Sequence, residues 1–300
     1  MEVIIAEIER TKAISVREKL SAYVELSKPR IAFMLVLTAA AGFYLGAAKN
    51  FDVVLFINMT VGITLLAFGV ATLNQVWERK TDALMERTAK RPLPTNKVTF
   101  AEALVFGVSM CFVAEIYLAV LVNVLTAVLG LVVIVGYVLL YTPLKTRTSL
   151  STAIGALPGA LPPLMGFTAS ANEITLGAWT LFAILFLWQF PHFLAIAWMY
   201  KDQYAKAGIK MLPVVEPSGR ITAQQIVIFT ILLLPVSLAP YFLQMTGLIY
   251  LVGASLLGLW FLAASIKAAR AKSVEQSRKL LLVSVLYLPL LFALMVFNHR

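Results

Sequence analysis

Uncharged apolar runs of about twenty residues recur along almost the whole chain, and no other feature limits the fold as tightly. Residues 53–73, VVLFINMTVGITLLAFGVATL, carry no charged side chain. A helix of about 20 residues crosses a hydrocarbon layer of about 30 Å. Nine such segments can be marked, near 31–48, 53–73, 100–120, 122–140, 150–170, 176–199, 225–244, 247–266 and 280–298. Within a bilayer every backbone N–H and C=O must be paired inside the protein, and runs of this length meet that demand as helices. The expected fold is therefore all-α, a polytopic bundle of nine spans. Composition agrees: 13% of residues are charged, against about 25% in a soluble domain. The single cysteine, Cys111, lies inside an apolar run, which excludes an intrachain disulfide and a thiolate metal centre.

The net charge of +10 would suit a nucleic-acid binder, but its distribution points to a membrane. Of the 25 Lys and Arg residues, 23 fall in the N-terminal segment and in alternate connections, and only Lys49 and Arg300 fall on the other side. This is the positive-inside pattern. It predicts a multi-pass protein of the cell (inner) membrane with a cytoplasmic N-terminus and the C-terminus opposite, and no nucleic-acid partner. The first 30 residues contain no apolar core of a secretory signal. Val3, Ile4, Ile5 and Ile8 set against Glu7, Glu9, Arg10 and Lys12 read instead as a short amphipathic helix on the membrane surface. Residues 1–300 then form one integral-membrane domain, with 1–30 as its cytoplasmic N-terminal segment. Connections on the far side, near 121–123, 171–175 and 245–247, are short, whereas 74–99 and 201–224 are long and polar. Loop length is spent where function sits, so the working face is the cytoplasmic one.

The densest polar stretch is Asn74 to Pro94, NQVWERKTDALMERTAKRPLP. Asn74, Glu78 and Asp82 recur every fourth residue and share one helix face. Magnesium takes oxygen ligands, typically one or two carboxylates completed by water and substrate phosphates. Arg87, Lys90 and Arg91 follow at once, with Arg offering bidentate and Lys point-charge contacts to phosphate. Ordinary solvated charge and the positive-inside rule could each account for part of this, but carboxylates beside cations at a membrane rim suit a lipid diphosphate with a divalent ion. Lys145 and Arg147, in a short loop on the same face, are divided between phosphate binding and membrane anchoring.

A further constellation runs from Phe186 to Val215. His192, one of two histidines, lies inside a span behind Pro191. Ionisable groups within membranes are costly and often functional; the alternative is a neutral imidazole hydrogen-bonded across the bundle. Asp202 follows at the cytoplasmic end of that helix. Glu115, within the third span, has no evident partner in the sequence. Pro158, Pro162 and Pro163 among Gly155, Gly159 and Gly166 predict an irregular, kinked fifth span. Trp77, Trp188, Phe190 and Trp198 could line a prenyl pocket or simply pack.

Four blocks, Tyr23 to Phe43, Asn74 to Pro94, Tyr141 to Phe167 and Trp188 to Val215, together resemble the UbiA superfamily of intramembrane prenyltransferases, and within it the branch that farnesylates heme. The strings MERTAKRPLP and WQFPHF are the most specific parts of the match. The resemblance implies a nine-helix bundle around a central cavity, with farnesyl diphosphate and heme b as substrates and Mg²⁺ as cofactor. By the same resemblance Asn74, Glu78 and Asp82 form the first metal–diphosphate motif, Arg87, Lys90 and Arg91 its basic partners, and His192 a contact to the porphyrin. A downstream heme-modifying enzyme or oxidase-assembly protein is the implied partner. Two residues depart from the superfamily pattern. Glu78 stands where Asp is common, and the later acidic motif reads Asp202-Gln203-Tyr204, its carboxylate displaced by one residue, about 100° around a helix. The resemblance offers Asp202 as a further metal ligand beside Glu78 and Asp82, with a single metal cluster as the alternative. The rival readings are a prenyltransferase for an aromatic quinone precursor, a secondary transporter and a passive heme-binding assembly protein.

Overall fold

In the computed structural model, residues 14–47 and 50–300 are described. The N-terminal surface helix expected around Val3–Ile8, and Lys49, lie outside them. The described residues are helical apart from turns and one isolated bridge between Thr246 and His299. A short helix, α1 (Val16–Leu26), starts at a capping box in which Ser15 and Glu18 satisfy each other's backbone. The long elements are α2 (Pro29–Gly46), α3 (Val53–Asp82), α4 (Phe100–Leu121) and α5 (Val124–Leu144). The chain continues through α6 (Ser151–Gly159), α7 (Leu161–Ala171), α8 (Leu176–Met199), α9 (Lys201–Lys206) and α10 (Leu212–Val215). It closes with α11 (Arg220–Phe242), α12 (Leu248–Ala271) and α13 (Val274–Phe297).

Among the described residues, eight helices are long and apolar enough to cross a membrane. The ninth expected span is α6 and α7 together. Pro158 lies inside α6, Pro162 and Pro163 open α7, and the chain turns at Ala160. Proline removes a donor and crowds the preceding turn, so the break follows from the residues that predict a kink. Nearly all of α7 is buried, where neighbouring helices supply partners for the interrupted backbone.

Several helices outrun the apolar segments that announce them. Hydropathy marks α3 only to residue 73, yet the helix runs unbroken for 30 residues to Asp82. That is about 45 Å of helix against a core of about 30 Å, so its final turns stand at the rim. Helices α12 and α13 likewise extend through the basic stretch to meet at residues 272–273.

Helix α2 packs most closely on α7, α3 on α4, and α8 on α11 and α13. At the α2–α7 crossing, a Cβ on Gly42 would collide with the Pro163 carbonyl and one on Gly166 with the Ala39 carbonyl. Small residues here let backbones touch, which is how helices gain packing energy where lipid removes the hydrophobic drive.

Candidate functional site at one rim of the bundle

The last two turns of α3 carry Asn74, Glu78 and Asp82 to the end of the bundle that holds loops 83–99, 145–150 and 200–219. Asn74 and Asp82 are 2% and 1% exposed, so they do not belong to a solvated helix face. Each residue of the series meets a cation from a different part of the chain. Lys28 Nζ donates to Asn74 Oδ1 at 2.9 Å, Lys145 Nζ to Glu78 Oε1 at 2.6 Å, and Arg91 Nη1 to Asp82 Oδ2 at 2.8 Å. Asn74 Nδ2 also donates to Thr142 Oγ1 at 3.2 Å. The Glu78 and Lys145 side chains are only 13% and 17% exposed.

Local geometry explains the convergence. Lys28 holds a left-handed backbone, φ 47°, immediately before Pro29, a conformation that costs roughly 1–2 kcal/mol for a residue with a Cβ. The neighbouring Gln75 Nε2 donates to the Leu26 carbonyl, which pins the end of α1 against α3. From the other side, α5 widens to a π-helix over Val135–Tyr141, and the Thr142 N–H and hydroxyl both donate to the Tyr137 carbonyl. Such bulges often occur at functional sites. Here the bulge ends beside Asn74 and is followed by Lys145, whose ammonium sits 4.4 Å from the Tyr141 ring centre. The loop after α3 folds back so that Thr88 Oγ1 donates to the Asp82 carbonyl and Arg91 reaches the Asp82 carboxylate.

Three cations thus face two carboxylates and an amide, an environment with spare positive charge. Burial and the nearby Arg91 and Lys145 pull the Lys28 ammonium down to about 8. Burial also works against charge on Lys145, but Glu78 beside it more than offsets this and holds it well above the ordinary lysine range. Among the described residues Asp82 Oδ1 finds no hydrogen-bond partner although it is buried, as does Gln75 Oε1 nearby. Leaving a buried carboxylate oxygen unpaired is costly, and a hard cation is the ligand that such an oxygen accepts. The donor set on this face, two carboxylates with oxygen-only chemistry, fits a magnesium ion completed by phosphate oxygens.

Beside this cluster opens a cavity of about 180 Å³ lined by Trp77, Glu78, Thr142, Lys145, Arg147 and Ile209, among others. Arg147 is exposed at its mouth. Lys90 is exposed and no bond to the cluster is found for it. Arg87 is also exposed; its contacts run to the second loop rather than to the carboxylates, with its guanidinium 4.9 Å from the Tyr200 ring centre. Asp202 is exposed at the start of α9. Among the described residues no three His, Cys, Asp or Glu side chains gather in one group. The neighbour of Asp202, Gln203, is the residue that meets the first loop, accepting the Arg87 N–H at 3.2 Å.

His192 lies on α8 away from this cluster. Its Nδ1 is 2.8 Å from Ser284 Oγ on α13, and its ring stacks on Trp188 at 4.5 Å, while Trp188 Nε1 donates to the Ser284 carbonyl. The cross-bundle hydrogen bond is therefore present, and it leaves Nε2 as the nitrogen through which any ligand would be met. Phe190 is a packing residue, stacked on Phe229 at 3.7 Å. Trp198 packs against Gly219, whose φ of 67° and lack of a Cβ both serve that contact. Sequence reading missed Lys28, Tyr141, Thr142 and Gln203 as parts of the site. For Lys28 the signal was a lysine directly before the proline that opens the first span, counted there only as a topology charge.

The chain matches the UbiA prenyltransferase family over residues 35–295. It is 48% identical over 286 residues to the protoheme IX farnesyltransferase of Solibacter usitatus (strain Ellin6076), covering 92% of this chain and 98% of that one. Its fold is similar to that of a solved digeranylgeranylglyceryl phosphate synthase, with a TM-score of 0.79, 16% identity and coverage of 94% of this chain and 98% of that one. It is also similar to a UbiA homolog from Archaeoglobus fulgidus bound to GPP and Mg²⁺, with a TM-score of 0.65, 17% identity and coverage of 91% and 99%.

Proposed function

Because this chain belongs to the UbiA prenyltransferase family, we propose that it transfers the farnesyl group of farnesyl diphosphate to a vinyl group of heme b. The new carbon–carbon bond forms at one vinyl carbon, diphosphate leaves, and water adds its hydroxyl at the adjacent carbon. The product is a hydroxyethylfarnesyl heme. The observation that carries the reading is the cation-rich carboxylate cluster on the last turns of α3, in a chain 48% identical to a protoheme IX farnesyltransferase.

Glu78 and Asp82 are the residues that would hold Mg²⁺, which supplies charge neutralisation for the departing diphosphate. The chain's own cations do the rest. Lys28, Lys145 and Arg91, held in place at Asn74, Glu78 and Asp82, would supply donors to the diphosphate oxygens, worth most where water is excluded. Arg147, Lys90 and Arg87 surround this set as outer phosphate contacts. Asn74 orients Lys28 and Thr142. Asp202, exposed at the rim, is the residue that would hold a second ion. The apolar bundle beneath shields an allylic carbocation from water. His192, through Nε2, is the candidate contact to the heme. A heme-modifying enzyme or an oxidase-assembly protein would take the product onward. The concentration of basic residues at this end supports a cytoplasmic site and N-terminus in the cell membrane.

Mass spectrometry of porphyrins tests the reading, after incubating purified protein with heme b, farnesyl diphosphate and Mg²⁺. The expected product is hydroxyfarnesylated heme. Farnesylation of an aromatic acid instead of heme would transfer the same site to a quinone-type acceptor.

A further inference from the structure

The loops at 83–99 and 200–219, far apart in sequence, are joined at several points, and one of these is a single side chain gripping a backbone N–H. Gln203 Oε1 accepts the backbone N–H of Arg87 at 3.2 Å. On the same side, Arg87 Nη2 donates to the Tyr204 hydroxyl at 3.4 Å, and its guanidinium lies 4.9 Å from the Tyr200 ring centre and 6.0 Å from that of Tyr204. Beneath this contact, Met85 of the first loop is buried with Ala207, Ile209 and Met211 of the second and with Ala197 of α8. A further bond, Lys210 N–H to the Lys145 carbonyl at 2.7 Å, ties the second loop to the loop that carries the Glu78 partner.

From this arrangement we infer that Gln203 is a positioning residue: it fixes the backbone of Arg87 so that two tyrosine rings hold the guanidinium at the mouth of the diphosphate site. The inference rests on the reading of the rim as that site. Two chemical facts favour Gln203 for the task. Its amide accepts a hydrogen bond without adding a charge that would compete with Arg87 for phosphate or draw in a second metal ion. The guanidinium is engaged on aromatic faces and by one weak hydroxyl contact, not by a carboxylate, so its charge remains available to an anion. A Gln at this position therefore trades a possible metal ligand for a fixed cation.

The test compares Gln203→Met and Gln203→Lys, which lack an acceptor, with Gln203→Glu, which keeps one. Two readouts are taken on the full-length protein without heme: amide hydrogen exchange at Arg87, and equilibrium binding of farnesyl diphosphate. The expected result is faster exchange at Arg87 and binding weakened about three- to tenfold in both acceptor-less variants, with Gln203→Glu close to wild type in Arg87 exchange and altered in binding only through the charge it adds. Unchanged Arg87 exchange in the folded acceptor-less variants would overturn the inference. So would faster exchange with unaltered binding, because the latch would then position nothing. A failure of heme as acceptor leaves both readouts unaffected, whereas absence of farnesyl diphosphate binding by the wild-type protein would remove the diphosphate site itself.

Discussion

Polar side chains at the rim are satisfied almost one by one by partners from distant segments, and that pairing is what separates a site from a charged helix end. Glu78 and Asp82 were legible in the sequence because a spacing of four places them on one face. Arg91 and Lys145 were legible as nearby cations but not as the partners of Asp82 and Glu78, and Lys28 was not legible as a site residue, because it lies 46 residues from Asn74 as Lys145 lies 67 from Glu78, and no local period encodes such pairs. His192 was legible only as an anomaly, an ionisable group in a span. Its bond to Ser284 holds the ring in one orientation through Nδ1, which makes Nε2 the heme-facing nitrogen in the proposed complex. His192→Ala should weaken heme b binding at least roughly tenfold, by analogy with the loss of groups that orient or ligate a metal, while farnesyl diphosphate binding stays near wild type. Titration of the heme absorption band checks this, and unchanged heme affinity would remove His192 from the heme contact.

Helices were readable from hydropathy and their irregularities only partly so. Proline and glycine marked the broken fifth span, but the π-helical turn of Val135–Tyr141 left no mark, since a shift in hydrogen-bond register changes neither length nor apolarity. Polar extensions were also missed, most usefully the last turns of α3, because a hydropathy reading stops where the membrane does. Close helix contact is a different kind of information. At Gly166 the obstacle to a side chain is the Ala39 backbone of α2, which cannot swing aside as a side chain tip could. Gly166→Ala should therefore destabilise the protein by about 1–3 kcal/mol, despite the gain of up to about 1 kcal/mol that alanine usually brings inside a helix. Thermal unfolding in detergent measures the balance, and a raised midpoint would show that α2 and α7 can separate at little cost.

Across the whole molecule, charge and loop length divide the two ends of the bundle. Loops 83–99, 145–150 and 200–219 interlock at one end. At the other, Asn123 donates to the Thr168 carbonyl and the chain end is tied by Gly247 N–H to the Asn298 carbonyl. The proposed orientation predicts that, with Cys111 replaced by serine, a membrane-impermeant maleimide applied to intact cells labels Glu173→Cys and leaves Thr95→Cys unlabelled. Labelling of the second variant alone would invert the topology and move the site to the outside. A transporter would concentrate ionisable groups near the middle of the bilayer. Here Glu115 and His192 are set within spans, but the paired carboxylates and cations are gathered at the rim, the arrangement that suits a diphosphate.

The most direct measurement is the rate of farnesyl-heme formation as Mg²⁺ is titrated, in wild-type protein and in Glu78→Gln and Asp82→Asn. Wild-type activity should rise with Mg²⁺ and vanish in EDTA. Each variant should insert and fold, yet lose roughly 10²-fold or more in rate, the order expected when a group that stabilises charge in the transition state is removed. Folded variants that turn over at near wild-type rates, with an unchanged Mg²⁺ dependence, would contradict the assignment of metal and diphosphate to the end of α3.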